Sequence, residues 1–529
     1  MDYAITLYNL FEQLNSLCYE PSKGEIMNFF IVVLGICYLK SVYATANNCV
    51  DLAPELSSIH EIIKADFSGY SHRKSLRELV DQTYSNLIQE ASKCSSNIDY
   101  TRTIKKYFAV VKDPHIQPVW QYTERYKNIY RISTGEDFDD ARFDFSTYSA
   151  IGIRLKLFND RVFINDIDTD LLESSKLVKG DELLSCNHKS PMDIMDQDIL
   201  PYESVTALNA ARYRHISKIF FRWDRKPHQK IKCVFKRMFE IITVELEWKS
   251  VSENYLSDLN SEINSEKKIY KLIKKDYGSL VKLTTMLGDN PVSTVQLQQF
   301  VKDAYTLRDD KNLILDLRGN SGGSSRWGKN WIIQLFGFFR AGPSKAPDII
   351  MASESNYNHF VRFFDYFEES GSFQNSSDRM KMQSFLDCIK SNLGKLTSCE
   401  KSNAVITVSG YKDDAALFKG RLYVLIDWGN FSSAEIFIQS LKLMPNVILV
   451  GQPTDASTSY GDIKFATTPK GMVLKIPTKI FGGLFIGRES GEAIQPDVKF
   501  NYIIDQELAN QDSLLYQVEK LIEESSSVK

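Results

Sequence analysis

Residues 421–439 read RLYVLIDWGNFSSAEIFIQ. Leu422 to Ile426 form a chargeless run that reads as a strand buried on both faces, the habit of parallel sheets. Asp427-Trp428-Gly429-Asn430 then supplies turn residues, and a stretch with helical spacing opens at Ser432. A strand that turns sharply into a helix exposes the first helical side chain at the sheet edge, near the positive end of the helix dipole. The helix's unpaired amides can also hold an oxyanion. The same letters allow a plainer role. Ser432-x-x-Glu435 spells a capping box, in which Ser432 would only satisfy the first amides of its helix.

Outward from this string the pattern repeats. NLILDLRGNSGG (312–323) is a second buried strand, and it runs into a glycine-rich loop whose backbone amides could approach a ligand closely. That loop lacks the Lys-Ser/Thr ending of a P-loop and does not match GxGxxG. NVILVGQ (446–452) is a third buried strand, and SLVKLTTM (279–286) is another strand. Amphipathic helices are predicted over 292–307 and 327–339. Apolar strands alternating with helices argue for a layered α/β core across 265–510. The polar, Ser/Asn-rich stretch 345–418 reads as a surface insertion in it.

Two further regions precede the core. From 150 to 248 the period shortens to two: AIGIRLKLF, RVFINDI, ELLSCN, IKCVFK and FEIITVELEW read as short strands of a compact β domain, 145–250. A polar linker, 250–268, follows it. Before it, 47–125 carries apolar residues at spacings of three and four, as in IHEIIKADF and SLRELVDQTYSNLIQEASK, and reads as a small helical domain.

The whole chain has 529 residues, 43% hydrophobic and 25% charged, with a net charge of −3. That balance excludes a strongly basic nucleic-acid binder and an acidic solvating tail. Residues 28–39, NFFIVVLGICYL, are too few to span a bilayer as a helix, which takes about 20 residues. Followed by Ala44-Thr45-Ala46 they fit a signal peptide, so 1–46 is expected to be a leader and the chain to be secreted, with no stable membrane insertion. Six cysteines remain beyond the leader, an even number that suits disulfides in an exported protein. Their spacing suggests Cys49–Cys94, Cys186–Cys233 and Cys388–Cys399, each within one region. No CxxC occurs, so structural zinc has no support. Asn375-Ser376-Ser377 matches a glycosylation acceptor.

DLRGNSGG followed at a distance by strand–FSSAEIF–helix and then VILVGQPT resembles the tail-specific (C-terminal processing) serine proteases and the related tricorn core peptidases. The resemblance covers roughly residues 50–505. It implies a layered core of the ClpP/crotonase kind, an N-terminal helical domain and a PDZ-like β domain, the last matched by AIGIRLKLF, VFINDI and the Lys179-Gly180-Asp181 turn. It implies Ser432 as nucleophile and oxyanion-hole amides near Gly322, Gly323 and Ser433. In the Ser–Lys members a lysine is the base, but Ser457 stands at its place here, and Lys464 lies seven residues further on.

A serine still needs a base to lose its proton. Tricorn-like members carry a D-x-H segment at the end of the helical domain, and Asp113-Pro114-His115 matches it. Imidazole titrates near neutrality, which suits the task. The same resemblance points to Glu489, displaced by one position, as a third catalytic residue. No cofactor or metal is implied, and the expected partners are peptide or protein substrates, bound by strand addition to the β domain. Two alternatives stand beside this expectation. One is a catalytically inactive peptide- or lipid-binding protein on the same fold, betrayed by a misoriented His115. The other is a crotonase-like acyl-CoA enzyme, against which the leader and the β domain count.

Overall fold

A computed structural model describes residues 49, 51–119, 130–131, 133–136, 148–168, 176–205, 207–251, 268–288, 290–339, 348–369, 376–399, 417–456, 460–481 and 492–527. The leader 1–46, Asn375, Ser457 and Glu489 lie outside the described residues.

The described residues open with four helices: α1 (Leu52–Asp66), α2 (Ser68–His72), α3 (Lys74–Ala91) and α4 (Asn97–Ala109). Leu56, Ile59 and Ile63 of α1 meet Val80 and Leu87 of α3 and Ile104 and Phe108 of α4, the apolar stripes that the spacing predicts. Ser96 starts α4, its hydroxyl accepting from the Asp99 amide. The Cys49–Cys94 disulfide ties the entry of α1 to the end of α3.

After the short strand β1 (Gln117–Pro118) comes the β unit. It contains β2 (Tyr148–Ala150), β3 (Ile153–Phe158), β4 (Arg161–Ile167), β5 (Glu182–Cys186), α5 (Pro191–Ile194), α6 (Leu208–His215), β6 (Phe221–Arg222), β7 (Lys230–Arg237), β8 (Glu240–Glu247) and β9 (Lys249–Val251). The main sheet is antiparallel, ordered β3-β4-β5-β7-β8, beside a small sheet β6-β2-β9. Cys186 faces Cys233 across β5 and β7 and is joined to it.

The core follows the predicted order. Its elements are β10 (Tyr270–Lys275), β11 (Gly278–Leu283), α7 (Pro291–Asp303), β12 (Asn312–Asp316) and α8 (Ser325–Phe336). After an inserted region it resumes with β15 (Arg421–Ile426), α11 (Ser433–Lys442), β16 (Val447–Gly451) and β19 (Val498–Lys499). The sheet runs β10-β11-β12-β15-β16-β19, parallel except for the β10–β11 hairpin. Leu297, Trp331 and Phe437 cover one face from α7, α8 and α11. The other face is covered by Leu514, Val518 and Ile522 of the last helix (Ser513–Ser527). Burial on both faces explains the chargeless strands.

Two features depart from the expectation. The stretch 345–418 is not simply polar surface. It holds β13 (Ile349–Met351), α9 (Glu354–Glu369), α10 (Ser376–Ser391) and β14 (Leu396–Thr397), closed by Cys388–Cys399. Phe360, Phe385, Leu386 and Ile389 pack between the two helices, and Asn356 and His359 are buried. The polar outer faces of α9 and α10 dominate the composition and hid these few apolar positions. The second feature is a hairpin of β17 (Tyr460–Thr467) and β18 (Val473–Ile480), to which β1 and β13 add in a sheet β1-β18-β13-β14. Leu474, Ile476 and Ile480 share one apolar cluster with α1, α3 and α4. The N-terminal helices therefore have no private core; they cover this C-terminal sheet.

Candidate active site

Ser432 occupies the tight turn between β15 and α11 with φ 58° and ψ −128°. A side chain in the left-handed region costs about 1–3 kcal/mol and persists where the surroundings impose it. Its hydroxyl makes no capping bond. Glu435 is turned away from Ser432, fully buried, and accepts from the Thr454 hydroxyl at 2.9 Å. The capping-box reading of Ser432-x-x-Glu435 therefore fails. Glu435 instead clamps α11 to the loop after β16, where Thr454 Oγ1 also accepts from the Ile494 amide.

The glycine loop after β12 is stitched to this turn. Asn320 is buried; its side chain donates to Leu283 O and accepts from the Gly322 amide at 2.9 Å. The Phe431 amide donates to Asn320 O, and the Ser433 hydroxyl donates to Gly323 O at 2.7 Å. Gly322 sits at φ 101°, and a Cβ there would fall 2.8 Å from Ser433 N and 3.0 Å from Ser432 Cβ. At Gly323, φ 138°, a Cβ would fall 2.2 Å from Met286 O. Only glycine allows this approach. Because the Gly322 amide already donates to Asn320, the amides without a described acceptor beside Ser432 are those of Gly323 and Ser433.

His115 reaches the same point from 317 residues away. Its segment leaves α4 through Lys112, at φ 53°, and is pinned where β1 pairs with β18, Gln117 opposite Lys475 and Pro118 opposite Leu474. Asp113 Oδ1 accepts from the His115 backbone amide at 2.8 Å and lies 3.0 Å from His115 Nδ1. A carboxylate can only accept, so the proton sits on Nδ1, and Nε2 faces the Ser432 hydroxyl as an acceptor at 3.0 Å. The ring stacks on Phe431 with centroids 4.6 Å apart. Pro114 has no polar side chain to offer, so the orienting contact comes from Asp113. Both His115 and Asp113 are buried, while Ser432 stays partly open.

Lys464, the other base considered, is elsewhere. Buried on β17, it donates to Asp66 Oδ2 and Ser355 Oγ, both at 2.6 Å. Ser353 donates to the other oxygen of Asp66, so this cluster fastens α9 and β17 to α1.

Sequence reasoning passed over Asp427. Buried at the start of the turn, it accepts from the amides of Gly319 and Gly429 at 2.8 and 2.9 Å. It also accepts from the Tyr213 hydroxyl of the β unit at 3.1 Å. Burial raises its carboxyl above the ordinary value, against the pull of those amides and Arg318. An aspartate ending a buried strand before a glycine turn was the available signal.

A serine facing a histidine that a carboxylate holds, with two amides lacking a described acceptor nearby, is the kind of arrangement that hydrolysis needs. Residues 278–500 match the profile of Peptidase family S41. That region carries the core of the tail-specific S41 peptidase family. The protein is a serine-type peptidase, and its substrates are peptides or proteins. Solved structures share the fold. The chain is similar to mature CPAF complexed with lactacystin, at 14% identity and a TM-score of 0.62, over 90% of this chain and 98% of that one. Mature CPAF alone gives 13%, 0.61, 90% and 97%. The photosystem II D1 C-terminal processing protease gives 12% identity and a TM-score of 0.35, over 86% of this chain and 93% of that one. A comparison with curated proteins returned no match. Among the described residues no helix is long and apolar enough to cross a membrane, and all three disulfides expected from the spacing are present.

Proposed function

We propose that this S41 peptidase works as an exported Ser–His–Asp enzyme. Ser432 Oγ attacks the scissile carbonyl while His115 Nε2 takes its proton, and Asp113 holds the resulting imidazolium. The oxyanion of the tetrahedral intermediate accepts from the Gly323 and Ser433 amides. His115 then returns the proton to the leaving amine, and water, deprotonated by the same nitrogen, releases the acyl group from Ser432. Gly322 serves by its small size rather than its amide. Asp113 orients the ring, and Glu489, expected as a further catalytic residue, lies outside the described residues.

The single observation that carries this reading is the 3.0 Å approach of His115 Nε2 to Ser432 Oγ with Asp113 behind the ring. A binding protein that had lost activity has no need to hold the histidine in this alignment. Export is supported by the three disulfides and the signal-like residues 28–46. The β unit, residues 145–250, fits a PDZ-like peptide-binding module because β3 is an edge strand among the described strands of its sheet, where a peptide strand would add.

The test is labelling with a fluorophosphonate serine probe. Wild type should label, and Ser432→Ala and His115→Ala should not. Labelling that survives His115→Ala removes the histidine from its role. A folded wild type that fails to label, with or without added peptide, overturns the catalytic reading.

A further inference from the structure

Three consecutive side chains at the end of α6 leave the β unit and enter its neighbours. The Tyr213 hydroxyl donates to Asp427 Oδ2 at 3.1 Å. Arg214 Nη1 lies 2.5 Å from Asp455 Oδ2, and its guanidinium sits 5.7 Å from the centroid of the Phe431 ring. His215 is set beside the partly buried Glu203, Lys105 and Lys218 at the junction with α4. The first two contacts converge on the turn that presents the nucleophile.

We propose that Tyr213 and Arg214 are positioning residues of the peptidase, fastening the nucleophile turn and the histidine's stacking partner from outside the S41 core. The assignment rests on Ser432 and His115 acting as described above. Asp427 is the joint between the two loops of the site. One oxygen gathers the Gly319 amide of the glycine loop and the Gly429 amide of the nucleophile turn, and the other is satisfied by Tyr213. Without that hydroxyl a buried carboxylate oxygen loses its described donor, and the joint must loosen or admit water. Asp427 and burial together push the Tyr213 phenol well above its ordinary value, so it remains a donor.

Arg214 acts on the other side of the turn. Asp455 is fully buried; its amide donates to Asn430 O within the turn, and its carboxylate meets Arg214. Phe431, next to Ser432, stacks on His115 and has the Arg214 guanidinium over its ring. Arg214 therefore bears on the nucleophile through Asp455 and on the base through Phe431. Neither Tyr213 nor Arg214 touches the reacting atoms. Their contribution is alignment, for which displacements of about 1 Å cost up to 100-fold in rate. The β unit is on this account a structural part of the active site in the resting enzyme, whatever peptide its open edge binds.

The experiment uses the full chain with Tyr213→Phe, Arg214→Met and Arg214→Lys. Two readouts are taken: the concentration dependence of fluorophosphonate labelling, and amide hydrogen exchange over 317–323 and 427–433. Tyr213→Phe should lower the maximal labelling rate about 10-fold with half-saturation unchanged, the mark of lost alignment rather than lost binding. Exchange in both segments should quicken. Arg214→Met should behave alike, and Arg214→Lys, which restores the charge opposite Asp455, should recover most of the rate. Wild-type rates and wild-type exchange in Tyr213→Phe and Arg214→Met would overturn the proposal. So would quicker exchange without any change of rate in a labelling-competent enzyme. If wild type does not label at all, the catalytic reading has failed. The exchange data then decide separately whether Tyr213 and Arg214 hold the turn, and unchanged exchange rejects that as well.

Discussion

The two halves of the catalytic pair are built in opposite ways. The nucleophile is local: β15, the turn 427–431 and α11 fix Ser432 within one stretch of chain, and the glycine loop seals it with side-chain bonds. The base is remote. His115 stands on a segment with little structure of its own, held by a two-residue strand against β18 and by the helices that cover that sheet. A motif therefore specifies the first half, while only the completed tertiary structure specifies the second. Substitutions in the two halves should fail differently.

The largest effect is expected from Ser432→Ala. Hydrolysis should fall by about 10⁴-fold or more while the melting temperature holds, since alanine keeps the Cβ and backbone of Ser432 and the lost hydroxyl makes no capping bond; matched kinetics and calorimetry check both. Asp113→Asn sharpens the remote half. It keeps the shape, but its amide can donate to Nδ1 and drive the ring proton onto Nε2, and kcat should drop by about 10³- to 10⁴-fold with KM little changed, measured on a fluorogenic peptide.

Leu474→Ala attacks the closure instead of the chemistry. This buried residue of β18 lies opposite Pro118 and within the cluster of the N-terminal helices. Its loss should cost about 2–5 kcal/mol in denaturant unfolding. Activity should then vanish at a lower temperature than the unfolding of the S41 core, because the base departs before the nucleophile. Coincident loss of activity and core structure would break the contrast between the halves.

The smallest effect concerns the junction of α4 with the β unit. Burial raises the Glu203 carboxyl, but Lys105, Lys218 and His215 outweigh it and hold the group well below its ordinary value. A depressed carboxyl stabilises the fold above the unfolded carboxylate range and loses that contribution as pH falls through the folded value. Stability of the wild type should therefore decline with acid below about pH 4.5. Glu203→Gln should be less stable at pH 7, by about 3 kcal/mol, and its acid decline should be shallower. Urea titrations at pH 7 and pH 4 measure both.

Much of this was legible in the letters because it was periodic or compositionally sharp. Chargeless runs marked β12, β15 and β16, spacing marked α7, α8 and α11, and the turn after Ile426 marked Ser432. His115 was legible only through its Asp-x-His spacing, and nothing in a string shows a histidine meeting a serine 317 residues away. Other features depend on who the neighbours are. The β17–β18 hairpin escaped notice because β18 is buried along nearly its whole length, so it does not alternate. Gly322 was expected to lend its amide, but Asn320 takes it. Tyr213, Arg214 and Asp427 look like ordinary residues until the β unit is docked on the core.

The pairing of β1 with β18 also sets a timetable. A chain made from its N-terminus carries His115 early and Ser432 late, and the sheet that carries the histidine to the serine requires residues up to Ile480. Until that hairpin is synthesised and covered by the first helices, nucleophile and base have no means of meeting. The three disulfides do not hasten the encounter, since each closes within a single region. A nascent peptidase is thus harmless to its own unfolded chain, and to whatever machinery handles it, for nearly the whole of its synthesis.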